Sequence, residues 1–315
     1  MKHLRAAVIG VGYLGRFHAQ KYARLPDVEL LAVVDERADT AAAVAAETGT
    51  RSVADYRELL GKVDAVSVVT PTPSHFSVAG DFLRAGAHVL VEKPITETVA
   101  QAAELIAIAA RSGRVLQVGH LERFNPAITA VEPLLLRPPR FIECQRLAPF
   151  KLRGTDVNVV LDLMIHDIDV IQSIVGSEIV AMDAVGAPVF SSEIDIANAR
   201  LRFASGCVAN ATASRVSMKT ERRMRIFLDD TYLSLDLQQK VVTTISKCDA
   251  AGGDAQLPVT INEQSFEQGD ALADEIAAFL SACRGERAVA VSGEDGLRAL
   301  QTAIRITRMV QDGLS

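Results

Sequence analysis

The chain has 315 residues, 49% apolar and 23% charged, and its 33 Lys plus Arg against 39 Asp plus Glu leave a net charge of −6. At about 150 residues per domain, this length suggests two folded domains and excludes global disorder. The mildly acidic balance excludes a nucleic-acid binder that rests on a basic surface.

Cys144, Cys207, Cys248 and Cys283 have neither metal-knuckle nor disulfide-dense spacing. They read as thiols in a reducing compartment. The apolar run that reaches Gly10 is too short for a signal-peptide core, and no run of about 18 apolar residues suggests a membrane span. A cytoplasmic protein is expected.

In chain order, Leu4–Ile9, Val28–Val34, Ala65–Val69, His88–Val91 and Val115–Val118 are short, β-branched and almost wholly apolar. Strands covered on both faces of a parallel sheet look like this. Helical patterns at Tyr13–Arg24, Arg37–Glu47, Ser74–Ala85 and Val99–Ser112 alternate with them, which predicts a doubly wound α/β domain. After His120 the pattern changes. Alternating runs at Phe141–Leu147, Ile179–Val185, Ile194–Phe203, Val208–Val216, Arg223–Leu228, Tyr232–Leu237 and Val241–Ile245 predict a mostly antiparallel sheet. Helices are expected at Val157–Val175, Asp270–Cys283 and Glu294–Asp312, and an exposed loop at Asp249–Pro258. The expected division is a Rossmann domain over residues 1–121 and an α+β domain over 122–315. One face of the second sheet has too few helices to cover it, and an uncovered apolar face implies a homodimer or homotetramer.

The first strand runs into Gly10-Val11-Gly12-Tyr13-Leu14-Gly15. Such a loop permits a tight turn, a close backbone approach to a pyrophosphate and tight helix packing, with the helix N-terminus facing the anion. Asp35, 20 positions after Gly15, ends the second strand. Its carboxylate suits an adenosine ribose and repels a 2′-phosphate, so NAD is expected over NADP; Arg37 nearby softens that preference.

Thr70-Pro71-Thr72-Pro73-Ser74-His75 follows the third long strand, and Glu92-Lys93-Pro94 the fourth. Together with the glycine loop, these motifs resemble the Gfo/Idh/MocA family of nicotinamide-dependent sugar oxidoreductases over essentially the whole chain. The stretches Gly119–Pro126 and Asp162–Asp169 look most like those members that oxidise C3 of UDP-N-acetylglucosamine ahead of an aminotransferase, in the supply of lipid A or surface glycans. The resemblance implies NAD as cofactor and a catalytic Lys93. Met164 departs from it, since many members have glycine there, and the larger side chain is expected to reshape the sugar pocket.

Lys93 sits at the carboxyl edge of the sheet, where ligands of open α/β sheets bind, and can stabilise a developing alkoxide. Read alone, it is better explained as a solvated lysine at a strand end. Glu92 contacts the nicotinamide ribose, orients Lys93 or serves a purely structural role. At about 100° per residue, Asn158, Asp162, His166 and Asp169 form a polar stripe on an apolar helix. His166 is the natural proton acceptor, with Asp162 to orient it. The competing reading is a satisfied core histidine.

A metal site at Asp162, His166 and Asp169 has no matched second cluster, and hydride transfer needs no metal, so no metal is expected. Thr70, Pro71 and His75 are candidate cofactor contacts, although His75 serves equally as a loop cap. Arg123, Asn125, Asn158 and Arg215 are candidate substrate contacts, with Asn125-Pro126 open to a reading as turn chemistry and Arg215–Arg225 to one as a solvated face. The expected reaction is oxidation of a sugar hydroxyl. The alternatives are a free sugar or cyclitol dehydrogenase and a non-catalytic NAD-sensing module.

Overall fold

A computed structural model describes residues 3–151, 157–247, 259–266 and 269–314. It divides into two units: Met1–Leu121 with Asp270–Leu300, and Glu122–Gly269 with Gln301–Ser315. The expected loop at Asp249–Pro258 and the thiol of Cys248 lie outside the described residues. Cys144, Cys207 and Cys283 are free thiols.

The first unit contains β1 (Leu4–Ile9), α1 (Tyr13–Arg24), β2 (Val28–Val34), α2 (Ala38–Thr48), β3 (Arg51–Val53), β4 (Ala65–Val68), α3 (Thr72–Arg84), β5 (His88–Glu92), α4 (Val99–Ser112) and β6 (Leu116–Gly119). Its sheet is wholly parallel in the order β3-β2-β1-β4-β5-β6. That is the doubly wound dinucleotide-binding order, in which ligands sit beyond the carboxyl ends of the strands. β4 and β6 are buried at every residue, as a sheet covered on both faces requires. At α4, Thr98 and Gln101 form a reciprocal capping box that fixes where the helix begins.

The second unit contains α5 (Pro126–Thr129), β7 (Phe141–Leu147), a π-helical turn at Val160–Met164 leading into α6 (Ile165–Val175), then β8 (Ile179–Ala187), β9 (Ile196–Phe203), β10 (Val208–Ser214), β11 (Glu221–Phe227), β12 (Thr231–Asp236), β13 (Val241–Lys247) and β14 (Val259–Ser265). The strand order is β14-β13-β12-β11-β7-β10-β9-β8. Every pairing is antiparallel except β7 with β10, so the expected mostly antiparallel sheet is present.

The exposed face of this sheet differs from the apolar face expected. Its middle is polar: Asn198 donates to Thr212 at 2.8 Å, Arg200 to Asn210 at 3.0 Å and Arg225 to Glu143 at 2.7 Å. Beside them Phe141, Phe227 and Tyr232 stack in series, with centroids 5.6 and 5.0 Å apart.

Two helices close the chain, α7 (Ala271–Cys283) and α8 (Gly293–Leu314). Leu272, Ile276, Phe279 and Leu280 of α7 belong to the same buried cluster as Leu4, Val8, Tyr22 and Val33. Asp270 caps α7 at the N–H of Ala273 and pairs with Lys21, and Arg284 just past its end pairs with Asp27. The chain therefore returns to the first unit, a return that a linear division at residue 121 does not contain.

Candidate functional site: a cofactor half and a substrate half

In the first unit, β1 turns into α1 through a backbone contact closer than any side chain permits. Gly10 has φ of +84°, and a Cβ at Gly15 would stand 1.8 Å from the Gly10 carbonyl oxygen. Gly12 is the opposite case, since a Cβ there meets nothing within 4 Å. The start of α1 has no side-chain cap and no acid in its first turn, so its N–H groups and dipole face outward for an anion.

Asp35 closes this end. One carboxylate oxygen accepts the Val11 N–H at 2.9 Å and the other the Arg37 N–H at 3.0 Å, leaving further lone pairs for ribose hydroxyls. Val11, Gly12, Tyr13, Arg37 and Thr40 line an open cleft of about 500 Å³ beside it. The open Gly12 cradle and the anchored carboxylate fit the pyrophosphate and ribose of NAD.

The other cofactor-side residues stand at the carboxyl edge of the same sheet. His75 is buried, and its ring bridges the carbonyls of Thr70 at 2.8 Å and Pro94 at 2.9 Å. Burial lowers its pKa, against the raising effect of those carbonyls. Its position is that of a clamp between the Thr70-Pro71 loop and the Lys93-Pro94 loop, the capping role among its two expected ones. Lys93 is half-buried and precedes a cis-proline bond. Glu92 turns inward: Oε1 lies 3.2 Å from His18 Nε2, and Oε2 accepts the Lys93 N–H at 3.3 Å. These contacts fit both the orienting and the purely structural readings of Glu92.

In the second unit the expected helix at Val157–Val175 starts later and on a wider turn. Asn158 precedes the π turn, and its side-chain oxygen accepts the N–H groups of Val160 and Leu161, both at 3.1 Å. It is a cap, where a substrate contact was expected. Asp162 lies within the π turn and His166 in the first turn of α6, both half-buried, whereas Asp167 and Asp169 are buried. Single π turns recur at functional sites because they re-aim side chains. Met164 is fully buried in this turn, so its bulk goes into the core and not into a pocket wall.

Arginines hold the buried acids. Arg123 grips Asp169 at 2.6 and 2.9 Å, and Arg146 grips Asp167 at 3.0 and 2.8 Å while also reaching Glu122 at 3.3 Å. Asp169 is thereby engaged, which weakens the competing metal reading at that helix. Asn125 caps Ala127 and donates to the Leu237 carbonyl at 2.9 Å, consistent with its reading as turn chemistry.

Arg215 is buried, where a solvated or substrate-facing cation was expected. It donates to Asp195 at 2.7 Å, to Ser191 at 3.0 Å and to the Val157 carbonyl. Burial opposes the charge of Asp195, but Arg215 and the N–H groups of Ser191, Val189 and Phe190 outweigh it and hold this carboxyl well below the usual range. Removing one partner of such a buried pair costs about 3–5 kcal/mol, so these cations are structural ties first.

Sequence reasoning missed His18 and Glu275. Both are fully buried, and among the described residues His18, Glu92 and Glu275 each place a ligand-type atom within 4.8 Å of the others. A signal existed: Glu275 is a lone acid among the core positions Leu272, Ile276 and Phe279 of α7.

The fold and the glycine-loop cleft define an NAD-binding oxidoreductase. Residues 4–120 match the model for the oxidoreductase family with NAD-binding Rossmann fold, and residues 145–234 match the GFO/IDH/MocA C-terminal domain. The chain is 42% identical to UDP-N-acetylglucosamine 3-dehydrogenase of Acidithiobacillus ferrooxidans, over 99% of this chain and 98% of that one. The solved structure of that enzyme superposes with a TM-score of 0.94 and covers 100% of both chains. Myo-inositol 2-dehydrogenase of Thermotoga maritima is 28% identical over 94% of this chain and 93% of its own. The chain belongs to the Gfo/Idh/MocA family.

A carboxylate at Asp35, just past β2, suits ribose hydroxyls and repels a 2′-phosphate. Asp35→Ser removes a carboxylate worth about 1.5–3 kcal/mol as an acceptor, so the ratio of kcat/KM for NAD over NADP falls by about 10- to 100-fold. Steady-state kinetics with both cofactors measures it, and an unchanged ratio contradicts the assignment.

Proposed function

We propose that this enzyme oxidises the C3 hydroxyl of UDP-N-acetylglucosamine to a ketone with NAD⁺. The observation that carries the reading is the 42% identity to a UDP-N-acetylglucosamine 3-dehydrogenase across 99% of the chain. The cyclitol alternative has relatives of comparable coverage but only 28% identity. The non-catalytic alternative leaves Lys93 and His166 without a task.

NAD⁺ would supply the hydride acceptor, and Gly10, Gly12, Gly15 and Asp35 would hold it. His166 takes the proton of the substrate hydroxyl and becomes imidazolium, with Asp162 stabilising that charge. Lys93 steadies the charge that develops on the oxygen as C–H becomes C=O. The substrate loses one hydride and one proton, and a 3-keto sugar nucleotide results. Such a ketone suits a following transamination, and a 3-amino sugar nucleotide suits amide-linked lipid A or surface glycans. On this reading the enzyme works in the cytoplasm. Among the described residues, no helix is long and apolar enough to cross a membrane.

We also propose that the enzyme self-associates through the second sheet. The aromatic series Phe141, Phe227 and Tyr232 on its exposed face supports this. Light scattering at micromolar concentration gives at least a dimer, and a monomer there contradicts the proposal.

NADH absorbance on mixing with NAD⁺ identifies the substrate. UDP-N-acetylglucosamine gives reduction that an aminotransferase and amino donor pull further, whereas reduction with myo-inositol alone overturns the assignment. His166→Ala lowers kcat by about 10²–10⁴-fold, the usual worth of a general base, and Lys93→Ala by about 10²–10³-fold. Both variants keep their NAD affinity by fluorescence titration. Unchanged turnover in either removes that residue from the chemistry.

A further inference from the structure

The carboxyl end of β5 holds a buried polar network that no step of the proposed chemistry uses directly. Glu92 pairs in register with Gly119 on β6, and a Cβ at Gly119 would stand 2.9 Å from the Glu92 carboxyl. The missing side chain lets Glu92 lie across the neighbouring strand and point into the fold. There it meets His18 of α1, whose other ring nitrogen lies 3.2 Å from Ser67 Oγ; Ser67 in turn is 2.9 Å from the Tyr22 hydroxyl.

His18 thus links Ser67 and the Tyr22 hydroxyl on one side to the Glu92 carboxyl on the other.

Glu275 of α7 completes the network. Its residue is 0% exposed, and neither carboxyl oxygen has a hydrogen-bond partner in the protein. Its helix is fixed beside β6 by Gln117, whose side-chain amide donates to the Glu275 backbone carbonyl at 3.1 Å. An isolated ionised carboxylate in such a place costs far more than a neutral acid. Burial first, and then the charge of Glu92, push the Glu275 carboxyl well above its ordinary range. The titratable groups facing it are His18 and Tyr22 on α1 and Glu92 on β5.

Two close carboxyl groups in a dry site share one proton, because both cannot ionise together. The separation of at most 4.8 Å between the Glu92 and Glu275 oxygens is one that a single bridging water spans.

We propose that Glu275 is a positioning residue for the reaction: as a neutral carboxylic acid it donates toward Glu92, and Glu92, held between it and His18, fixes the backbone of Lys93. The proposal rests on the reading of Lys93 as the group at the reacting oxygen. It explains why an acid stands on the buried face of α7, where an apolar residue packs at lower cost.

Infrared spectroscopy and kinetics on the full-length enzyme test this. The wild type has a protonated-carboxyl stretching band at pH 8 that Glu275→Gln abolishes. Glu275→Leu lowers kcat by about 10- to 100-fold, the loss expected when a reacting group is displaced by about 1 Å. Glu275→Gln, which keeps a neutral donor, recovers most of that loss, while KM for NAD stays within about twofold in both variants because the glycine loop and Asp35 are untouched. If Glu275→Leu fails to fold, the infrared comparison with Glu275→Gln decides alone.

Absence of the band, or equal loss of kcat in both variants, overturns the proposal. So does stoichiometric zinc in protein purified with zinc and lost in Glu275→Gln, because the three side chains then form a metal centre. Full turnover by Lys93→Ala with the band intact removes instead the reading of Lys93, so the two failures are distinguishable.

Discussion

The structure depends on how closely α1 approaches the turn that precedes it. With a Cβ at Gly15 placed only 1.8 Å from the Gly10 carbonyl, α1 can lie against the sheet only if that position is glycine. Two consequences follow from one contact. The helix N-terminus lies beyond the carboxyl edge of β1, where an anion gains from the helix dipole. The helix also carries His18 and Tyr22 under β4 and β5, where they reach Ser67 and Glu92. The cofactor end and the Lys93 end of the first unit are thus set by the same packing.

The second unit solves a different problem. Its helix α6 carries acids into a region that buries Asp167 and Asp169 almost completely. Each is met by a two-toothed arginine contact, from Arg146 and Arg123. Such pairs add little net stability over apolar packing, yet breaking one leaves an uncompensated buried charge. Their effect here is to fix which way α6 is turned. With Asp167 and Asp169 held, Asp162 and His166 stay half-buried at its start, and the π turn between Val160 and Met164 sets the angle between them.

Much of the fold was legible because it is written in apolar period. β1, β2, α1, α4 and β7 occupy the residues that their patterns predict. β3 escaped because two of its three residues are exposed, and β14 because it is exposed throughout and has no alternation. Placement was legible where the pattern is local: the glycine loop, Asp35 and Lys93 stand at strand ends of the parallel sheet, as their motifs predict. It was illegible where a partner lies far along the chain. Nothing near Arg215 announces Asp195, and nothing near Arg123 announces Asp169, so cations that pin loops and helices read as cations that await a substrate. A π turn is equally hidden, since a regular helix and a widened one share the same residue preferences.

The return of the chain at Asp270 has the widest consequence for the first unit. A Rossmann sheet of six strands is often treated as complete in itself, and its glycine loop, Thr70–His75 and Glu92–Pro94 all lie before residue 121. Yet Leu272, Ile276, Phe279 and Leu280 of α7 sit in the same buried cluster as the strands of that sheet. Burying four such side chains contributes about 6–12 kcal/mol, comparable with the whole stability of a domain. The motif-bearing segment therefore depends on a helix that arrives some 150 residues later. That helix carries Glu275 to the end of β5, so the segment that completes the core also completes the polar network behind Lys93.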